Sequence, residues 1–153
     1  MGDPVAEFRM RQDVEPLGEP IIERRSLMED YFESKIKQSI KDRKQLHLKL
    51  VGNAKTYDAF LELERKAFQQ GALSKKSKEL MALSISIVTK CEPCMEWHVQ
   101  QAFLAGATDE EVYETIDVAI EMGGGPAAAY ARYALKALEY HKANGKKPPL
   151  KGK

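Results

Sequence analysis

Residues 80–88 read Leu-Met-Ala-Leu-Ser-Ile-Ser-Ile-Val, and the assignment of this run decides the fold. A short run that is apolar almost all round and rich in Ile and Val suits a buried strand as well as the buried half of a helix. Two features favour the helix. Ser74 stands six residues upstream as a cap, and no other segment of the chain reads as a strand with which this one would pair. The spacing therefore predicts a helix from Lys75 to about Thr89, opened by Ser74. Being apolar on nearly every side of its second half, it should be central and buried.

Working outward, Lys90 is followed by Cys91-Glu-Pro-Cys-Met-Glu-Trp-His98. Pro93 suits the first turn of a new helix, where a backbone N–H has no partner to lose. That helix should run to about Ala105 and stop at Gly106. Thr108-Asp-Glu-Glu111 has the spacing of a capping box and opens a helix reaching about Met122. Gly123-Gly-Gly-Pro126 should break the chain before a last helix from Ala127 to about His141. In the other direction, residues 55–70 predict a helix with Tyr57, Phe60, Leu61, Glu64 and Phe68 on one side and Gly71 as its C-cap. Residues 21–50 are heavily charged, and Leu27, Tyr31, Ile36 and Ile40 form only a thin helical stripe, with a break expected near Asp42 and an end at Gly52-Asn53. The first twenty residues, with Pro4, Pro16, Gly18 and Pro20, read as an irregular arm, and the basic tail from Asn144, with Pro148 and Pro149, as frayed. The expected fold class is all-α, with an N-terminal arm and charged helical region over 1–50, a domain over 51–143 and a tail over 144–153.

Bulk properties narrow the function. The 153 residues carry 24 basic and 23 acidic side chains, a formal net charge of +1, which gives no reason to expect nucleic acid or an anionic membrane as a partner. No run of about 18 apolar residues is present to span a bilayer. Met1–Met10 holds Asp3, Glu7 and Arg9 and no apolar signal core, so a cytoplasmic location is expected. A purely structural disulfide is improbable in that reducing compartment. Yet the chain has two cysteines, and they stand three apart, a motif rather than a framework. No nucleotide loop is found. Gly123–Gly125 follows a helix instead of a strand, and no cofactor motif appears.

Cys91 and Cys94, at the start of a helix, can close a small disulfide ring reversibly. The unpaired N–H groups and dipole of the helix N-terminus favour a thiolate, the reactive form. His98 lies four residues after Cys94, on the same helix face, where an imidazole can take the thiol proton or pair with the thiolate. If the preceding helix packs antiparallel across a tight turn at Lys90-Cys91, Glu79 comes near His98 and can orient it and relay its proton.

Glu79, eleven residues, Cys91, two residues, Cys94, three residues, His98 resembles the active-site signature of the alkylhydroperoxidase D-like proteins of the carboxymuconolactone decarboxylase superfamily. Gly71-Ala-Leu-Ser-Lys-Lys, Ala105-Gly-Ala-Thr-Asp-Glu-Glu and Met122-Gly-Gly-Gly-Pro-Ala are similar as well, so the resemblance covers residues 50–140 or so. It implies an AhpD-like helical bundle assembling as trimers or hexamers. It also implies peroxidase or disulfide-reductase activity, with Cys94 the activated thiol, Cys91 its disulfide partner and His98 with Glu79 the relay. Electrons would come from a separate donor protein or a small thiol. Some members have a histidine directly before the second cysteine; Pro93 occupies that place here, so a relay through it is missing. Superfamily members that decarboxylate a lactone acid generally lack the cysteine pair.

Other readings compete. Cys91, Cys94 and His98 are three soft ligands for a metal ion or iron–sulfur cluster, with Glu79 or another subunit supplying a fourth, although a closed zinc site usually draws on two knuckles and only one is present. The two cysteines can also be plain small hydrophobes, and Glu79 a solvated residue of a lysine-rich helix. Met95 and Trp97 suit the core or a subunit contact, Tyr130 and Tyr133 the core or a pocket wall. His47 and His141 sit in charged segments that suggest no role.

Overall fold

Ser74 opens a helix as its type suggests. Its backbone is extended (φ −66°, ψ 155°) and its Oγ accepts from the Ser77 N–H at 3.0 Å, satisfying one of the amides a helix start leaves unpaired. In the computed structural model, which describes residues 21–145 and side chains from residue 30, five helices follow in order: α1 (Ile21–Asn53), α2 (Tyr57–Ala67), α3 (Lys75–Val88), α4 (Glu92–Leu104) and α5 (Asp109–Asn144). No strand occurs among the described residues, so the fold is all-α. The N-terminal arm and the tail from residue 146 lie outside the described residues. The chain divides into two units, Met1–Tyr31 and Phe32–Lys153. The described part of the first is helical; the second holds the core and both cysteines.

Two turns of one design fix α4. After α3, the Lys90 N–H reaches the Ile87 carbonyl at 3.1 Å and the Cys91 N–H the Ser86 carbonyl at 2.9 Å. After α4, the Gly106 N–H reaches Phe103 at 3.0 Å and the Ala107 N–H reaches Ala102 at 2.9 Å. Both are Schellman closures, which require a left-handed residue just past the helix. Gly106 (φ 86°) takes that place without penalty; at the other turn it is Lys90 (φ 59°). The Thr108 capping box is present in both directions: the Glu111 N–H donates to Thr108 Oγ1 and the Thr108 N–H to Glu111 Oε2.

Helices α3, α4 and α5 pack against one another. Leu83 and Ile87 of α3, Met95 and Val99 of α4, and Val112, Ile116 and Ala119 of α5 are buried. The expected break in α5 falls at Gly124, whose φ of 63° and ψ of −152° interrupt the helix just before Pro126. Side chains avoid that conformation. Beyond it, Ala127, Ala131, Ala134 and Ala137 are buried, and their small size lets the second arm of α5 approach its neighbours closely. Ile36 of α1 is buried with this core, and Phe32 and Ile40 pack against it; burying an isoleucine contributes about 2 kcal/mol.

Three expectations need correcting. Helix α1 does not break near Asp42; Asp42 accepts a hydrogen bond from Gln38 one turn earlier, and Arg43 is fastened to α4. Helix α2 ends at Ala67 with Phe68 as its cap rather than at Gly71, and Lys78 Nζ donates to the freed carbonyls of Ala67 and Gln69. Helix α3 is not buried all round: Met81, Ile85 (61% exposed) and Val88 face outward. No helix among the described residues is long and apolar enough to cross a membrane.

Candidate active site

The turn that ends α3 delivers Cys91 as the N-cap of α4, with Pro93 in the first helical turn. Cys91 and Cys94 are joined in a disulfide, their Cα atoms 5.2 Å apart. Both are half-buried, while Met95, the next residue, is fully buried. The pair therefore sits where the helix emerges from the core, at the positive end of its dipole.

Because α3 and α4 fold back across this turn, Glu79 near the start of α3 meets His98 in the middle of α4. His98 Nδ1 and Glu79 Oε2 are 2.9 Å apart, with Glu79 only 3% exposed. A carboxylate accepts, so Nδ1 carries the proton in this bond. That leaves Nε2 as the free acceptor, on the side chain one helical turn from Cys94. Phe68, just past α2, stacks on the imidazole with ring centroids 5.3 Å apart and fixes its plane. Outside this pair lies an open cleft of about 530 Å³, whose lining includes Leu61, Phe68, Lys75, Glu79, Trp97 and Gln101. Of the four residues expected from the sequence, Glu79 and His98 are in direct contact and the two cysteines are bonded to each other, with His98 four residues along α4 from Cys94. Their sulfurs are engaged with each other, and among the described residues no group of three His, Cys, Asp or Glu side chains forms a cation cage.

A second polar cluster is built on α1, α4 and α5 and includes His141, to which sequence reasoning assigned no role. Glu96, two residues after Cys94, is fully buried and His141 is 4% exposed; His141 Nε2 and Glu96 Oε1 are 2.9 Å apart. Arg43 of α1 reaches both Glu96 oxygens at 3.2 and 3.3 Å and Gln100 Oε1 at 3.1 Å. Its guanidinium lies over the Trp97 ring, 4.3 Å from the centroid, a placement worth about 1 kcal/mol. A buried carboxylate without such partners is strongly disfavoured. Nearer the cysteines, Lys35 Nζ pairs with Glu92 at 2.6 and 2.8 Å. Lys35 also lies 5.4 Å from the centroid of the Tyr133 ring. Burial pushes the Tyr133 phenol up to about 12; Ser39 opposes that rise, and the charges of Glu92 and Glu96 add to it. Tyr133 is core, as are Met95 and, in part, Tyr130. His47, on α1, pairs with the Tyr57 hydroxyl at 3.0 Å.

Known proteins share this sequence and fold. The chain is 46% identical over 82 residues to uncharacterized protein 4 of the cox locus of Paracoccus denitrificans, a match covering 54% of this chain and 74% of that one. An uncharacterized Cupriavidus necator protein is 40% identical over 77 residues, 50% of this chain and 68% of its own. Among solved structures, a carboxymuconolactone decarboxylase family protein from Legionella pneumophila superposes with a TM-score of 0.54 at 35% identity, covering 73% of this chain and 95% of that one. A Thermotoga maritima member, for which a role in the antioxidative response has been suggested, gives 0.64 at 31% identity over 71% and 95% of the two chains. The model of the carboxymuconolactone decarboxylase family matches residues 54–137, from just before α2 into the second arm of α5, and the chain belongs to that family.

Proposed function

We propose that the protein is a thiol–disulfide oxidoreductase that reduces hydroperoxides or disulfides through Cys91 and Cys94. The observation that carries this reading is the Cys91–Cys94 disulfide at the head of α4, one turn of helix before an imidazole whose Nδ1 is held by a buried carboxylate. In the reduced protein His98 Nε2 takes the Cys94 proton, and the Nδ1–Glu79 bond stabilises the imidazolium that results. The Cys94 thiolate attacks the terminal oxygen of a hydroperoxide. The O–O bond breaks, the departing alkoxide takes a proton to leave as alcohol, and Cys94 becomes a sulfenic acid. Cys91 then attacks that sulfur, water leaves, and the disulfide forms. Two electrons and two protons from a dithiol protein or two small thiols restore the starting state. With a disulfide substrate, the first step gives a mixed disulfide, which Cys91 resolves.

This reading includes a cytoplasmic location and a homo-oligomer, trimer or hexamer. The outward Met81, Ile85 and Val88 of α3 support a contact between copies, which sedimentation would detect. The decisive experiment on the chemistry is mass spectrometry of the reduced protein before and after one equivalent of hydroperoxide. Each chain is expected to lose two hydrogens, and Cys94→Ser to lose turnover altogether. Two inert thiols, or turnover retained by that variant, would overturn the proposal.

A further inference from the structure

Glu92 stands between the two cysteines in sequence and puts a carboxylate on the first turn of α4. A negative charge there opposes a thiolate at Cys94, because like charges in a partly buried site disfavour each other's ionised forms. The structure answers that charge from α1. Lys35 Nζ sits 2.6 Å from Glu92 Oε2 and 2.8 Å from Oε1. Eight residues on, Arg43 engages Glu96, which is four residues on from Glu92. Two basic residues of α1 thus meet two acidic residues of α4 in the same order along both helices, while Ile36 between them is buried. Helix α1 precedes residue 54, where the match to the family model begins.

We propose that Lys35 is a positioning residue for the redox pair, holding and neutralising the Glu92 carboxylate so that the Cys94 thiolate forms without an uncompensated negative charge on the same helical turn. This rests on the proposed redox chemistry for its purpose, although the effect on the thiol is defined without turnover. The charged and titratable groups on the elements that carry the pair and pack against them include Lys35 and Arg43 from α1, Glu79 from α3, Lys90 from the turn after it, and Glu92, Glu96 and His98 from α4. Tyr133 from α5 stays neutral across the working range. Of these, Lys35 is the cation fastened to the residue between the cysteines. Its side chain is 37% exposed, so water screens part of its effect.

The test is the pH profile of alkylation of the reduced full-length protein by iodoacetamide, read by mass at Cys91 and Cys94. Lys35→Met is expected to move the midpoint of the more reactive thiol upward by about half a pH unit or more, and Lys35→Arg to leave it in place. In a Glu92→Gln background, which removes the charge Lys35 answers, Lys35→Met is expected to shift nothing further. A thermal melt of each variant shows that the fold is retained, and a structural role alone would change that melt without moving the midpoint. An unmoved midpoint in Lys35→Met, or an equal shift with and without Glu92, would overturn the proposal. Absence of peroxide or disulfide turnover in the wild-type protein would instead overturn the redox reading, and the alkylation profile would still decide the role of Lys35.

Discussion

Replacing Lys90 with glycine is expected to stabilise the protein, although it removes a side chain beside the reactive pair. Lys90 holds the left-handed position of the turn closing α3, with φ 59°. That conformation costs a residue with a Cβ about 1–2 kcal/mol. Glycine escapes this cost but gives up about 0.5–1 kcal/mol through the greater freedom of the unfolded chain. The balance is a gain of about 0.5–1 kcal/mol, a rise in Tm of about 1–4 °C for a chain of this size. The lysine charge, next to the carbonyl end of α3, contributes in the opposite sense by a few tenths of a kcal/mol or so. Comparing Lys90→Gly with Lys90→Ala removes that contribution, since both lack the amine. The turn after α4 supplies the mirror experiment. Gly106 sits at φ 86° with open space where a Cβ would stand, so Gly106→Ala should lower stability by about 1 kcal/mol through backbone conformation alone. Calorimetry or denaturant titration of the oxidised proteins measures all three. A Lys90→Gly protein no more stable than Lys90→Ala would refute the account of this turn.

Glu96→Ala is expected to cost about 3 kcal/mol in urea unfolding, the low end for removing one partner of a buried pair, because Arg43 is 28% exposed and can turn to water; a loss under about 1 kcal/mol would show the cluster to be dispensable. The Lys76 ammonium, and then the Thr108 N–H, hold the Glu111 carboxyl below its usual range. Its contribution is therefore present above the ordinary glutamate pKa of about 4.3 and is lost as pH falls through the lowered value. Lys76→Met should flatten that acid-side loss in urea midpoints followed from neutral to acid pH, and an unchanged acid limb would contradict the assignment.

Much of the fold was legible because it is written in local chemistry. Ser74, the Thr108–Glu111 box, Pro93, Gly106 and the Gly123–Pro126 break each act within a few residues, and each does what its type implies. Glu79 and His98 were legible as a possibility once two helices joined by a tight turn were expected, but the 2.9 Å contact depends on the Lys90 conformation, which a lysine does not advertise. The unbroken α1 was missed because its support is remote: Lys35 and Arg43 find their partners 57 and 53 residues away. The same distance hid Glu96 and His141, ordinary charged-segment residues until α1, α4 and α5 enclose them. For α3 the residue types showed an apolar helix, but not which side its neighbours would leave uncovered.

The two cysteines occupy the N-cap and first turn of α4, and the next residue along is already buried within the core. Whatever happens between those sulfurs is confined to a span of four residues, and the helix beyond them is anchored by the buried Met95 and Val99. A helix start held by a Schellman turn on one side and close-packed side chains on the other offers little to rearrange. Gain or loss of the bond can then leave the surface beyond that turn unaltered, so a partner meeting the oxidised and reduced proteins would find nearly the same shape and tell them apart by chemistry alone.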